Sequence, residues 1–217
     1  MTLKQEIQDF QKEMIPKIPG DVLDVIMKTS AELIARNIEG QALKKGERLP
    51  PFSLTDALGE MRSSEELLKR GSLVISFYRG GWCPYCHLEL RALQKVLPEI
   101  KSHNANLLAI SPELPDYSLT TREKNELEFS VLSDPNNQVA KKFGLVFEAA
   151  KELIPLFKEN FDWDLVTING TETVELPIPA TYVVDKEGIV QFTFVNSDYT
   201  QRAEPEKILE VLKRSNS

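Results

Sequence analysis

The sequence predicts an α/β protein with a central mixed β-sheet flanked by helices, preceded by an N-terminal helical extension. Three observations carry this. Leu73-Val74-Ile75-Ser76-Phe77-Tyr78 and Asn106-Leu107-Leu108-Ala109-Ile110-Ser111 are near-continuous apolar runs with an amphipathic helical stretch between them. A crossover of that length makes the two strands parallel and buried on both faces. Thr181-Tyr182-Val183-Val184-Asp185 and residues 189–195 are β-rich runs joined by the turn Lys186-Glu187-Gly188, which reads as an antiparallel hairpin. Residues 1–45 instead repeat apolar side chains at helical spacing, so we read 1–45 as the extension and 46–217 as the main domain.

In chain order, Leu3, Ile7, Phe10 and Met14 share one helical face, and Pro16 and Pro19-Gly20 break that helix. Asp21 is the expected cap of a second helix reaching Ile38. Its stripe is Val22, Val25, Ile26, Leu33 and Ile34, with Gly40 as the stop. Such a stripe needs a partner surface. The pair either packs on the main domain as a helical hairpin or serves as the arm of a homodimer.

Residues 49–56 form an extended lead-in strand, followed by a turn at 56–59 and a helix opened by the capping box Ser63-Ser64-Glu65-Glu66 and closed by Gly71. After the strand at 73–78, Leu90, Leu93, Leu97 and Ile100 predict one helix from Cys83 to Ser102, with His103 capping its C-terminal end. Thr120-Thr121-Arg122-Glu123 reads as a second capping box opening a polar helix. A short apolar run at 129–132, the turn Ser133-Asp134-Pro135 and a short helix ending at Gly144 follow. Residues 145–176 contain Ile154, Leu156, Phe157, Phe161 and Trp163 and read as a helix broken near Pro155, then a loop, the whole a lid packed on the core. Pro205 opens a last helix carrying Ile208, Leu209 and Leu212.

Composition narrows the function. The 217 residues are 41% hydrophobic and 27% charged, ordinary for a globular chain. The net charge is −7, from 26 basic and 33 acidic residues, and no run of Lys and Arg could track phosphates, which excludes nucleic acid as a partner. The N-terminus does not read as a signal peptide and no segment suits a membrane span, so no membrane partner is expected and the default location is cytoplasmic.

The two cysteines, Cys83 and Cys86, lie two residues apart at the junction of the central strand and the following helix. A loop that small gains little from cross-linking, so the pair reads as a redox dithiol. A thiol at a helix N-terminus faces unpaired N–H groups and the positive end of the helix dipole, both of which favour the thiolate. Cys83 holds that place, because Pro84 suits the first helical position. Cys86 lies a turn further in. Two cysteines and two separated histidines do not offer four nearby zinc ligands, and no cofactor or metal is expected. His87, next to Cys86, points about 100° away from it on a helix and is read as a bland histidine.

Trp82-Cys83-Pro84-Tyr85-Cys86 after a buried strand resembles the thioredoxin and glutaredoxin active site. The wider chain resembles the peroxiredoxin-like family grouped with alkyl hydroperoxide reductase and thiol-specific antioxidant proteins. That likeness runs from about Leu49 to Leu212: Pro51-Phe52-Ser53-Leu54, the strand with its cysteines, Leu108-Ala109-Ile110-Ser111, Leu132-Ser133-Asp134 and Ala180-Thr181-Tyr182-Val183-Val184-Asp185. The resemblance implies a thioredoxin-like fold and pulls the chemistry two ways. In thioredoxins the attacking cysteine is the first, here Cys83; in peroxiredoxins it falls at the second, here Cys86. Where peroxiredoxins carry a Pro and a Thr or Ser before that cysteine, this chain has Arg79 and Cys83. Where they carry an arginine that polarises the peroxide, it has Pro179, which thioredoxins hold as a cis-proline beside the thiol.

The expected function is therefore a thiol-disulfide oxidoreductase that cycles Cys83 and Cys86 in antioxidant defence. Its substrates would be protein or small-molecule disulfides, with electrons from a thioredoxin or glutathione/glutaredoxin system. The alternative is a thiol peroxidase for hydrogen or alkyl peroxides, with Cys86 attacking and Cys83 resolving; a non-catalytic redox sensor is the third reading. Trp82 and Tyr85 are expected to border the thiol. Arg79 and Arg202 are expected to supply positive charge to a thiolate or else to be ordinary solvated arginines.

Overall fold

The computed structural model describes residues 1–215. Helix α1 (Leu3–Met14) opens on Thr2, whose hydroxyl accepts from the Gln5 N–H while the Gln5 side chain returns to the Thr2 N–H, a reciprocal cap. Helix α2 spans Gly20–Ala35, with Asp21 in its first turn rather than at the cap. It stops before Ile38 because Asn37 adopts a left-handed conformation (φ 49°), which asparagine tolerates, so Gly40 is not the stop.

Strand β1 (Ser53–Asp56) turns back into a short β2 (Met61–Ser63), which the sequence reading missed. The next helix, α3 (Ser64–Leu68), lacks the expected box: Ser63 makes no side-chain cap, and the Ser64 hydroxyl instead accepts from the Phe52 N–H at 3.0 Å, tying the lead-in segment to the helix. Strand β3 (Ser72–Phe77) is buried throughout. The helix expected from Cys83 to Ser102 is two, α4 (Pro84–Lys95) and α5 (Leu97–Ser102), because Pro98 lacks an N–H and its ring would meet the carbonyl a turn earlier. His103 caps α5 as expected.

Strand β4 (Ala105–Ser111) leads to helix α6 (Pro115–Lys124), so Thr120 to Glu123 lie inside a helix already opened by Pro115 and do not cap it. The Thr120 hydroxyl bonds to the Asp116 carbonyl instead. Strand β5 (Ser130–Ser133) and helix α7 (Gln138–Lys142) follow, the latter held by the Asp134 carboxylate, which accepts from the Val139 and Ala140 N–H groups. The lid region is more ordered than a broken helix and a loop. It comprises β6 (Val146–Glu148), α8 (Leu153–Phe161), α9 (Leu165–Asn169) and β7 (Glu175–Pro177), with Pro155 in the first turn of α8, where its missing N–H breaks nothing. Strands β8 (Ala180–Val184) and β9 (Val190–Val195) form the expected hairpin, and α10 (Pro205–Ser215) closes the chain.

Among the described residues the main sheet has the order β2-β1-β5-β4-β3-β8-β9. Strands β3, β4 and β5 are parallel, and β8 runs antiparallel to β3, so the sheet is mixed as expected. Strand β3 is central, paired on both edges, and its C-terminal end delivers the chain to the cysteines. The core is continuous through Phe77, Phe143 and Tyr182, whose rings meet at 4.7–6.2 Å.

The two N-terminal helices pack on the rest of the chain at two places. Leu3 and Ile7 of α1 pack on Ala92 of α4, and the Glu204 carboxylate accepts from the Leu3 and Lys4 N–H groups at 3.0 and 2.8 Å. An anion on the N-terminus of α1 suits the helix dipole. Helix α2 packs against α8.

Candidate active site

After β3 the chain must turn sharply between packed side chains, and two glycines allow it. A Cβ on Gly80 (φ 147°) would fall 2.3 Å from the Trp82 indole nitrogen, and one on Gly81 would fall 1.9 Å from the Thr121 hydroxyl. The Gly81 N–H donates at 2.8 Å to the Glu113 carboxylate, which fixes the loop. Cys83 then takes the N-cap of α4 with Pro84 first in the helix, and the Cys86 N–H returns to the Cys83 carbonyl at 3.1 Å.

Both cysteines are free thiols and both are buried, Cys83 at 1% and Cys86 at 0% exposure. Burial pushes the Cys83 thiol up, but a hydrogen bond from the Cys86 thiol and the charges of Arg79 and Arg202 outweigh it and hold Cys83 down at about 6. Burial and the neighbouring Cys83 charge push Cys86 well up. The two sulfurs are thus driven apart, Cys83 toward the thiolate and Cys86 toward the thiol.

Arg202 is not a solvated surface arginine. It is 8% exposed, its Nε lies 2.6 Å from Glu89 Oε2, and its Nη2 lies 3.5 Å from Cys86 Sγ. The Nε and Oε2 are not aligned for a linear hydrogen bond, so the contact is a charge pair. Its Nη1 donates to the carbonyls of Tyr199 and Gln201, which orients the guanidinium. Thr181 donates to the other Glu89 oxygen at 3.2 Å. Burial raises Glu89 to about 7 against the pull of Arg202; burial works against the Arg202 charge, but Glu89 more than restores it.

Arg79 is likewise buried, at 6%, stacked over Trp82 (4.8 Å) and Tyr199 (4.3 Å). Trp82 also meets Phe157 and Trp163 at 5.8 and 5.6 Å, so the lid packs on the core as expected, and it does so at the residue before Cys83. Tyr85 sits between Phe10 of α1 (5.5 Å) and Tyr199 (5.6 Å). Of these rings, Tyr85 and Tyr199 lie close enough to Cys83 to feel its charge. His87 is half-buried against Asn125, its Nδ1 3.0 Å from Oδ1, and burial lowers it, keeping it neutral.

Pro179 differs from its thioredoxin counterpart. Every peptide bond among the described residues is trans, so there is no cis-proline. Pro179 is buried in the extended link from β7 to β8, where the Ile178 N–H is taken by the Leu145 carbonyl.

Sequence reasoning missed Glu89, Glu113 and Tyr199. Glu89 lies three residues after Cys86 and four before Leu93, on the apolar face of α4, and a carboxylate on such a face was the available signal. Glu113 is buried near Cys86, accepting from Gly81 and approached by Ser111 and Thr121; burial raises it to about 7. Nothing periodic marks it, because it sits beyond the end of β4. Among the described residues no three His, Cys, Asp or Glu side chains cluster as metal ligands.

The AhpC/TSA family profile matches residues 45–193. The chain is 29% identical over 187 residues to the chloroplastic peroxiredoxin Q of Sedum lineare, covering 86% of this chain and 85% of that one. It is 33% identical over 103 residues to peroxiredoxin Bcp of Escherichia coli (strain K12), covering 48% of this chain and 65% of the relative. The solved structure of peroxidoxin BcpB from Mycobacterium tuberculosis superposes with a TM-score of 0.61 at 22% identity, over 79% of this chain and 97% of that one, a likeness of fold. With its dithiol at the end of the central strand and its thioredoxin-like sheet, the chain belongs to the AhpC/TSA family and is a thiol-dependent oxidoreductase of peroxiredoxin-like type.

Proposed function

We propose that the chain is a thiol peroxidase: Cys86 attacks hydrogen peroxide or a small alkyl hydroperoxide, and Cys83 resolves the product. Burial of both sulfurs carries this reading over reduction of protein disulfides. A peroxide is small enough to enter, whereas the disulfide of a folded protein reaches neither sulfur until the side chains around them move. The peroxiredoxin relatives support the same choice.

The geometry suggests the following steps. The proton on Cys86 shifts along the S–H···S bond to Cys83, leaving Cys86 as thiolate beside Arg202. Cys86 attacks one peroxide oxygen and the O–O bond breaks toward the other, where Arg202 offsets the developing charge. The departing oxygen takes a proton, for which the buried Glu113 is a neighbouring source. Cys83 gives its proton to the Glu113 carboxylate and attacks the Cys86 sulfenic sulfur; the S–O bond breaks and the leaving hydroxide takes that proton and departs as water. The sum is two thiols and ROOH giving a disulfide, ROH and water.

Thioredoxin or the glutathione/glutaredoxin system is the proposed reductant, in a reducing compartment such as the cytoplasm. A homodimer through the extension would use Ile15, Met27 and Ile34, which remain exposed after α1 and α2 have docked. The second reading, dithiol exchange led by Cys83, is favoured by its N-cap position and lowered pKa.

Adding one equivalent of hydrogen peroxide to the reduced protein tests the proposal. Intact mass should fall by two hydrogens with Cys83 and Cys86 joined, and a thioredoxin system should restore them. Peroxide consumption no faster than with free cysteine, together with brisk reduction of oxidised glutathione, would transfer the function to the second reading.

A further inference from the structure

A cleft of about 140 Å³ lies on the Arg79 side of the dithiol. Its walls are Ile26 and Leu33 of α2 and Leu153 and Phe157 of α8; its floor is Arg79 with Tyr199. Helix α2 lies outside the 45–193 stretch that defines the family match, so the extension builds this cleft. The volume holds roughly five to ten water-sized groups, enough for a small ligand.

The polar groups of the cleft are unequally spent. The Thr29 and Ser30 hydroxyls already donate to carbonyls of Val25 and Ile26 within α2. Arg79 is 6% exposed, its Nε is sealed without a hydrogen-bond partner, and among the described residues its guanidinium pairs with no carboxylate, although it lines the cleft. Trp82 and Tyr199 hold its faces, which leaves its edge for a ligand. The one anion near this buried cation is the Cys83 thiolate, and whenever Cys83 is protonated the charge is left uncompensated, a cost that an anion in the cleft would relieve. Exposed Glu32, Arg36 and Glu148 also line the cleft, and with Arg79 their charges sum to zero, a balance that admits a monoanion more readily than a dianion.

We propose that this cleft binds a small monocarboxylate with an apolar body, its carboxylate on the edge of Arg79 and its chain between α2 and α8. Such a ligand neutralises a charge that favours the Cys83 thiolate, so binding makes Cys83 less reactive and formation of the thiolate weakens binding in return. The inference concerns binding beside Cys83 and stands whether or not the dithiol reduces peroxide.

Titration calorimetry of the reduced full chain with sodium hexanoate, hexan-1-ol and inorganic phosphate tests it. Hexanoate should bind one per chain, with hexan-1-ol and phosphate each at least tenfold weaker. Ile26→Phe, which fills the cleft away from the thiols, should abolish hexanoate binding and leave the alkylation rate of Cys83 without ligand unchanged. Arg79→Gln should lose at least tenfold in affinity, and hexanoate should move the pH midpoint of Cys83 alkylation upward in the wild type alone. Equal binding of hexan-1-ol, equal or tighter binding of phosphate, undiminished binding by Ile26→Phe, or no saturable heat at all would each overturn the proposal.

Discussion

Arg202 and Cys86 are far apart in sequence, yet Nη2 of the arginine stands 3.5 Å from Sγ of the cysteine, deep in the protein. The Glu89 carboxylate, one turn beyond Cys86 on α4, holds that guanidinium at 2.6 Å. The cation is thus positioned by the helix that carries the sulfur it serves.

Arg202→Met removes the charge beside Cys86 and strands Glu89. We expect a loss of about 3–5 kcal/mol of stability, as for breaking other buried pairs, read in a denaturant titration. Peroxide reduction should fall by about 10²–10³ if the guanidinium stabilises charge on the departing oxygen. Arg202→Lys, which keeps a charge but not the fork, should recover stability more than rate.

The pH dependence has two opposed parts. The Cys83 thiol is lowered to about 6, so its contribution to stability is present above the unfolded value and is lost as pH falls through about 6. Glu89 and Glu113 are raised to about 7, so their contribution is present below the unfolded value and is lost as pH rises through about 7. Glu113→Gln should flatten the decline in stability between about pH 4 and 7, a change on the order of 3 kcal/mol, measured by unfolding at several pH values.

Phe157 bridges the lid and Trp82, and at 6% exposure it is a core residue. Phe157→Ala should cost about 3–5 kcal/mol and shift the emission of Trp82 and Trp163 to the red as water enters the cluster.

Phe10 of α1 packs on Tyr85, which sits beside Cys83, and α1 is anchored by Leu3 and Ile7. Ile7→Glu should loosen it, so that a bulky aromatic disulfide reagent reacts at least tenfold faster with the thiols. A small reagent such as iodoacetamide should change much less. Equal acceleration of both would mean that α1 does not gate access.

Much of the frame could be read from the chain. The strands around β3, the β8–β9 hairpin and the placing of Cys83 at a helix start follow from period, turn residues and Pro84, all local signals. The misreadings are also local in cause: Pro98 and Asn37 override apolar periodicity, and Ser64 and Thr120 spend their hydroxyls elsewhere. The site's electrostatics were less legible. Nothing local to Arg202 marks it as buried, and Glu113 and Tyr199 reach the sulfurs only through long-range folding. Glu89 was the exception, a carboxylate on an apolar helix face.

The most direct test of the account is to mix the Cys83→Ser variant rapidly with hydrogen peroxide and trap sulfenic acid with a dimedone reagent. Sulfenic acid should appear on Cys86, formed at least a hundredfold faster than on free cysteine and slowed by the further change Arg202→Met. An inert Cys86 beside a rapidly oxidised Cys83 in the Cys86→Ser variant would contradict it.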